Sequence, residues 1–185
     1  MCDGRDDGGA GLAHQWPPDR SGQHGDRPAG RLAAGRSAMR AHELHHQTGR
    51  VLVVVCDKGE EAVEAVGAAL REQRIHAARV TAVGGFADAE VGWFDRETRD
   101  YRRIPVREQV EVLSLLGDVA ERDGAPALHV HAVLGRADGS TMGGHLLRGR
   151  VWPTLEVMIS EVAPELAKRV DPETGLALIS GTGGG

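Results

Sequence analysis

His129 and His131 stand two residues apart in the apolar run Ala127-Leu128-His129-Val130-His131-Ala132-Val133-Leu134, and His145 follows the pair Gly143-Gly144. In a β-strand, residues i and i+2 point to the same face, roughly 6.5–7 Å apart. Two imidazoles at that spacing can converge on one ion. Three neutral imidazoles suit Zn²⁺, and three protein ligands leave a fourth position open. A second reading of the same residues is a histidine pair on an exposed strand face, with His145 as a hydrogen-bonded turn residue.

Whether His145 can join the pair depends on hairpin parity. A plain two-residue turn at Asp138-Gly139 sets His131 opposite Leu146 and His129 opposite Arg148, which leaves His145 on the far face. One extra residue in the return strand reverses the parity. Gly143-Gly144 is the expected place for such a bulge, because glycine tolerates positive φ. With it, His145 pairs with Val133 and shares the face of His131.

The surrounding elements follow from pattern. Residues 51–55, Val-Leu-Val-Val-Val, read as a strand buried on both faces. Asp57 is the expected helix cap, with Glu60 and Glu61 in the first turn and an apolar stripe of Val63, Val66, Ala69 and Leu70 running to about Gln73. Residues 79–94 read as two short strands broken at Gly84-Gly85, and 101–106 as another. Residues 109–120 fit helix or strand, with Gly117 and the valines favouring strand. Residues 128–134, 146–152 and 155–162 read as strands, Pro153 separating the last two. Residues 164–170 read as a short helical piece with Pro164 in its first turn, 176–179 as a short strand or extended tail, and 181–185 as floppy. The expected fold is α+β: a mostly antiparallel β-sheet with one main helix packed on it.

Composition sets limits. The chain has 185 residues and 41% hydrophobic content, enough for one domain with a core. Residues 1–45 are expected to form a disordered N-terminal extension and 50–180 the folded domain, since residues 1–38 are rich in Gly, Asp, Arg and Pro without apolar periodicity. Met39 opens the patterned segment and is an alternative translation start. No apolar run approaches the ~20 residues that span a bilayer, no signal peptide is recognisable, and Cys56 reads as a buried free thiol, so the expected setting is cytoplasmic with no membrane partner.

The formal charge of −5 and the aromatic content of 3% argue against a phosphate-gripping face or a base-stacking platform. Local basic patches remain at Arg99, Arg102, Arg103 and Arg107 and at Arg148 and Arg150, where ordinary surface salt bridges are the favoured reading. Trp93 and Trp152 are expected to fill the core or a subunit interface. His42, His45 and His46 precede the first strand and read as a solvated leader, and His76 as a loop residue.

Several motifs, in order, carry a family resemblance. They are Glu108-Gln109-Val110-Glu111-Val112-Leu113-Ser114-Leu115-Leu116-Gly117, then Leu128-His129-Val130-His131-Ala132-Val133-Leu134-Gly135, Asp138-Gly139, Gly143-Gly144-His145-Leu146-Leu147 and Thr154-Leu155-Glu156-Val157. From about Arg50 to Ile179 the chain resembles the PPC (plants and prokaryotes conserved) domain, in its prokaryotic branch without an AT-hook. The resemblance implies an α+β fold, a homotrimer, and a metal, commonly zinc, on histidines that match His129, His131 and His145, one ion per chain. It implies a DNA-binding, regulatory role by analogy with plant members, whose AT-hook grips DNA. It also implies protein partners at the segment matching residues 110–115. This chain has no AT-hook, its domain is acidic, and Arg107-Glu108-Gln109-Val110 stands where the plant partner motif carries Arg-Phe.

Three functions follow as expectations. One is a trimeric DNA-binding or regulatory protein. Another is a metal-dependent enzyme or small-molecule sensor, in which an open three-histidine site activates water or holds a carbonyl or carboxylate. Glu156 and Asp138 are then candidate bases and Arg136 a candidate anchor for an anionic ligand. Their plain alternatives are an outward strand residue, an Asp-Gly turn former and a solvated arginine. The third is a structural zinc bracing the trimer, with a protein group as fourth ligand.

Overall fold

The computed structural model describes residues 40–46, 49–162 and 166–182. Among these are nine strands and one helix. The order is β1 (Arg40–His46), β2 (Gly49–Asp57), α1 (Ala62–Gln73), β3 (Ala78–Asp95), β4 (Asp100–Val106), β5 (Val110–Arg122), β6 (Ala125–Gly135), β7 (Thr141–Glu161), β8 (Leu166–Val170) and β9 (Ala177–Thr182). All pairings are antiparallel except a single parallel bridge between β5 and β8. The α+β class with one helix is as expected. The backbone of Arg40–His46 is strand β1, upstream of Arg50 and overlapping the end of the expected extension 1–45; residues 1–39, which hold the rest of that extension and Met39, lie outside the described residues, as do the side chains of His42, His45 and His46.

The strands close on themselves. β3 pairs with β5, β5 with β6, β6 with the start of β7, and β7 with β3 again. The enclosed face carries Phe86, Leu134, Leu146, Leu155 and Ile159, all buried, and α1 adds Val66, Ala69 and Leu70. Burying one such leucine contributes roughly 1.5–3 kcal/mol. Cys56 lies in this core, where burial, helped by Glu60, Asp57 and Glu61, pushes its thiol up to about 12. It is inert packing at neutral pH.

Four local expectations are corrected. Residues 79–94 form one strand, because the chain absorbs the Gly84-Gly85 bend as a register shift and keeps pairing on both sides. Residues 146–161 belong to one strand as well, β7. Pro153 falls where the β3 register shifts and has no partner in β2 or β3, so its missing N–H leaves no ladder bond unmade. Residues 166–170 are strand β8, pairing with β9 and touching β5, where a helical piece was expected; sheet pairing outweighs weak local propensity. The strand at the C-terminus begins at Ala177 and includes Gly181 and Thr182.

The helix cap is Glu61, not Asp57. Its carboxylate accepts from the N–H groups of Val63 and Glu64, and Oε1 also accepts from Gly149 N at 2.9 Å on β7. Asp57 instead donates its backbone N–H to Glu60. Glu61 therefore satisfies the helix start and ties α1 to the strand that carries His145. Glu61→Ala is expected to cost about 2 kcal/mol in denaturant unfolding, the sum of a lost cap and an unmade buried bond; an unchanged midpoint would refute the tie.

Trp93 is 53% exposed with Arg102 over its ring at 5.1 Å, and Trp152 is half-buried under Lys58 at 3.7 Å. Neither tryptophan belongs to the buried core.

Candidate metal centre

β6 alternates cleanly. Val130, Ala132 and Leu134 are buried on the helix side, which turns His129, His131 and Val133 to the opposite face. His131 lies directly across from His145 in the β6–β7 ladder, and directly opposed residues share a face. The His129 and His131 ring centroids are 5.2 Å apart, His129 and His145 5.2 Å, and His131 and His145 5.4 Å. One ring nitrogen from each lies within 4.8 Å of the others.

The expected bulge at Gly143-Gly144 does not occur, and its place is taken by loop length. The connection comprises residues 136–140, five in all, closed by Arg136 N to Ser140 O and Gly139 N to Arg136 O. An odd loop puts His145 on the His131 face without any irregularity in the β6–β7 ladder. The glycine pair serves a different purpose. A Cβ on Gly143 would lie 2.4 Å from Ala132 O, and one on Gly144 2.6 Å from Gly92 O. Glycine is needed here so that β7 can press against both neighbours.

A second layer holds the rings. Asp118 on β5 is the register partner of His129, and its Oδ2 lies 3.0 Å from His129 Nδ1. Donation from Nδ1–H to this carboxylate leaves Nε2 as the lone-pair nitrogen, the arrangement that orients metal-ligating histidines. The other oxygen, Oδ1, lies 2.6 Å from Lys168 Nζ on β8. That contact is poorly aligned for a directed hydrogen bond, so it acts as a charge contact. Tyr101 stacks on His145 with centroids 4.8 Å apart and planes 25° apart, and burial pushes its hydroxyl up.

The donor set suits a divalent ion. Burial lowers His145 to about 4, with His129, His131 and Lys168 adding to the effect, so its ring is neutral near pH 7. Burial also lowers His131, reinforced by His129 and opposed by Asp118. His145 Nδ1 is buried with no hydrogen-bond partner, the condition that an ion or water relieves. Tetrahedral zinc holds its nitrogen ligands about 3.3 Å apart, and here one ring nitrogen of each histidine lies within 4.8 Å of the other two.

These shifts also predict acid sensitivity of the metal-free protein. Folded His145 binds its proton more weakly than the unfolded chain does, so protons favour unfolding. Stability is full above about 6.5 and is lost as pH falls towards about 4. Solvent screening limits the effect to about 2 kcal/mol. Thermal melts between pH 7 and 4 should show a slope that His145→Gln flattens; parallel slopes would contradict the assignment.

The other sequence candidates lie apart. Arg136 Nη2 pairs with Glu108 at 2.8 Å. Asp138 accepts from Ser140 Oγ at 2.6 Å and from Ser140 N at 2.9 Å, and these bonds hold its carboxyl below the usual range. Glu156 is exposed on the same sheet face, paired with Val83, but three strands from His131, roughly 15 Å away. The histidine cluster includes none of the three. In the basic patches Arg148 and Arg150 share the carboxylate of Asp88, and Arg103 binds Glu90.

Sequence reading missed Asp118, Lys168 and Tyr101. Asp118 had a signal. Asp123-Gly124, both at positive φ, is a two-residue hairpin turn that sets Asp118 opposite His129. Nothing local marks Lys168 or Tyr101.

A sequence model of the Plants and Prokaryotes Conserved (PCC) domain matches residues 44–163. The chain belongs to the PCC domain family. Solved PCC-like structures include a metal-containing protein from Archaeoglobus fulgidus, 33% identical, with a TM-score of 0.67 over 73% of this chain and 96% of that one. A plant- and prokaryote-conserved (PPC) protein from Pyrococcus horikoshii is 27% identical, with a TM-score of 0.68 over 80% and 97%. A candidate DNA-binding protein from Bacteroides thetaiotaomicron shares the fold at 23% identity, with a TM-score of 0.70 over 76% and 96%. The bifunctional protein GlmU of Synechococcus sp. (strain JA-3-3Ab) is 32% identical over 108 residues, 57% of this chain, which spans only 16% of that protein. The three histidines lie inside the matched PCC domain and Lys168 lies outside it.

Proposed function

We propose that this PCC-domain protein holds one divalent ion per chain, zinc foremost, on His129, His131 and His145, and works as a homotrimeric cytoplasmic regulator. The carrying observation is the convergence of three ring nitrogens within 4.8 Å, backed by Asp118. The metal-containing relative from Archaeoglobus fulgidus supports the reading. A bound ion would supply Lewis acidity at an open fourth position, suited to sensing a small ligand or activating water. Asp118 orients His129, Tyr101 braces His145, and exposed His131 keeps the site open to solvent.

The trimer rests on an apolar strip on the histidine face. Met158 and Leu116 both pair with Thr81, and Leu116 pairs with His131. Met158, Leu116, Val83 and Val133 are 56%, 58%, 57% and 44% exposed. An apolar strip of this kind marks an association surface. Light scattering should give the mass of three 19.7 kDa chains, and elemental analysis of untagged protein one divalent ion per chain. A metal-free preparation that fails to take up added Zn²⁺ would overturn the metal reading; a monomer would overturn the assembly.

DNA binding is the second reading, favoured by a groove of about 420 Å³ lined by Arg107, Arg148 and Arg150 and by the relative from Bacteroides thetaiotaomicron. Asp88 and Glu90 share that groove, so any grip on phosphates should be weak and steeply salt-dependent. No gel shift at low salt with micromolar protein, with or without metal, would end it.

A further inference from the structure

Lys168 is the buried charged residue among the described residues, with 4% of its side chain exposed. Lysine is almost never fully buried unless paired, and burying an ammonium is costly even then. A methionine of similar volume would fill the space without that cost. The partner is not an idle carboxylate. Asp118 spends one oxygen on Lys168 at 2.6 Å and the other on His129 at 3.0 Å. The lysine comes from β8, which follows the matched domain and meets β5 at Glu121 and Ala167.

We propose that Lys168 is a positioning residue that weakens the hold of the three-histidine centre on its divalent ion, by drawing the charge of Asp118 away from His129. The inference rests on the metal reading given above. Two effects act in one direction. A carboxylate shared with an ammonium accepts less strongly from His129 Nδ1–H, so the imidazole is a poorer donor through Nε2. A fixed positive charge behind the ligand shell also repels a divalent cation across a partly buried path. The C-terminal hairpin thus tunes the centre towards exchangeable binding and a more strongly polarised ion.

The sign separates this role from a structural one. Full-length protein is titrated with Co²⁺ alone at pH 8, read by its visible absorption bands, with folding checked by circular dichroism. Lys168→Met is expected to bind Co²⁺ about tenfold tighter than wild type with shifted bands, and Lys168→Arg to restore wild-type affinity. Lys168→Gln, neutral and polar, should follow Met and carries the test if Met fails to fold. Asp118→Asn should bind about 10- to 100-fold more weakly. Equal or weaker binding by the neutral variants, or an Arg variant that behaves like them, would overturn the inference while leaving the centre intact. A wild type that does not bind Co²⁺ would overturn both.

Discussion

Replacing His131 with alanine is expected to reduce divalent-metal affinity by more than about 100-fold, since second-layer changes alone cost 10- to 100-fold and this removes a ligand. His129→Ala and His145→Ala should behave alike, because each removes one of three converging nitrogens. His131 is exposed, so its loss opens no cavity and should leave the melting temperature of metal-free protein nearly unchanged. His145→Ala also strips the ring on which Tyr101 stacks and should cost some stability. His76→Ala serves as control, since His76 pairs with Glu121 at 3.4 Å outside the cluster. Competition titration against a chromogenic chelator measures the series. Retained affinity in any one of the three replacements would remove that histidine from the centre.

Gly143→Ala is expected to destabilise the pairing of β6 with β7 strongly. The new Cβ meets the backbone oxygen of Ala132 at 2.4 Å, and that atom cannot swing away as a side-chain tip could. The strands must part, at a cost of about 2–3 kcal/mol, which lowers the melting temperature by about 8 °C in a chain of this size. The same parting separates His131 from His145, so metal affinity should fall along with stability. Gly67→Ala on α1 is the opposite control: its Cβ meets only Arg71 Nη1 at 3.4 Å, and helix propensity favours it by up to about 1 kcal/mol. Equal melting temperatures for Gly143→Ala and wild type would refute the close approach.

The spacing of His129 and His131 was legible because a two-residue period is a local property of strands. The placement of His145 was reached by a wrong route, since a bulge and an odd loop give the same parity and the letters around Asp138-Gly139 do not distinguish a two-residue turn from a five-residue one. Asp118 could have been found from Asp123-Gly124 by counting back along the hairpin. Lys168 could not, because it reaches Asp118 across fifty residues of chain through an isolated parallel bridge. The long strands β3 and β7 were read as broken pieces because glycine and proline punctuate local sequence, while the ladder on either side decides whether pairing continues.

The five-residue connection between β6 and β7 imposes a counting rule on descent. Substitutions within residues 136–140 leave the alternation of side chains untouched. A single insertion or deletion there would swing His145 inward and Leu146 outward at one stroke, spoiling the ligand set and the interior together. Lineages that keep all three imidazoles should therefore vary this turn freely in its letters, yet change its length by an odd number only together with a compensating bulge in the return strand.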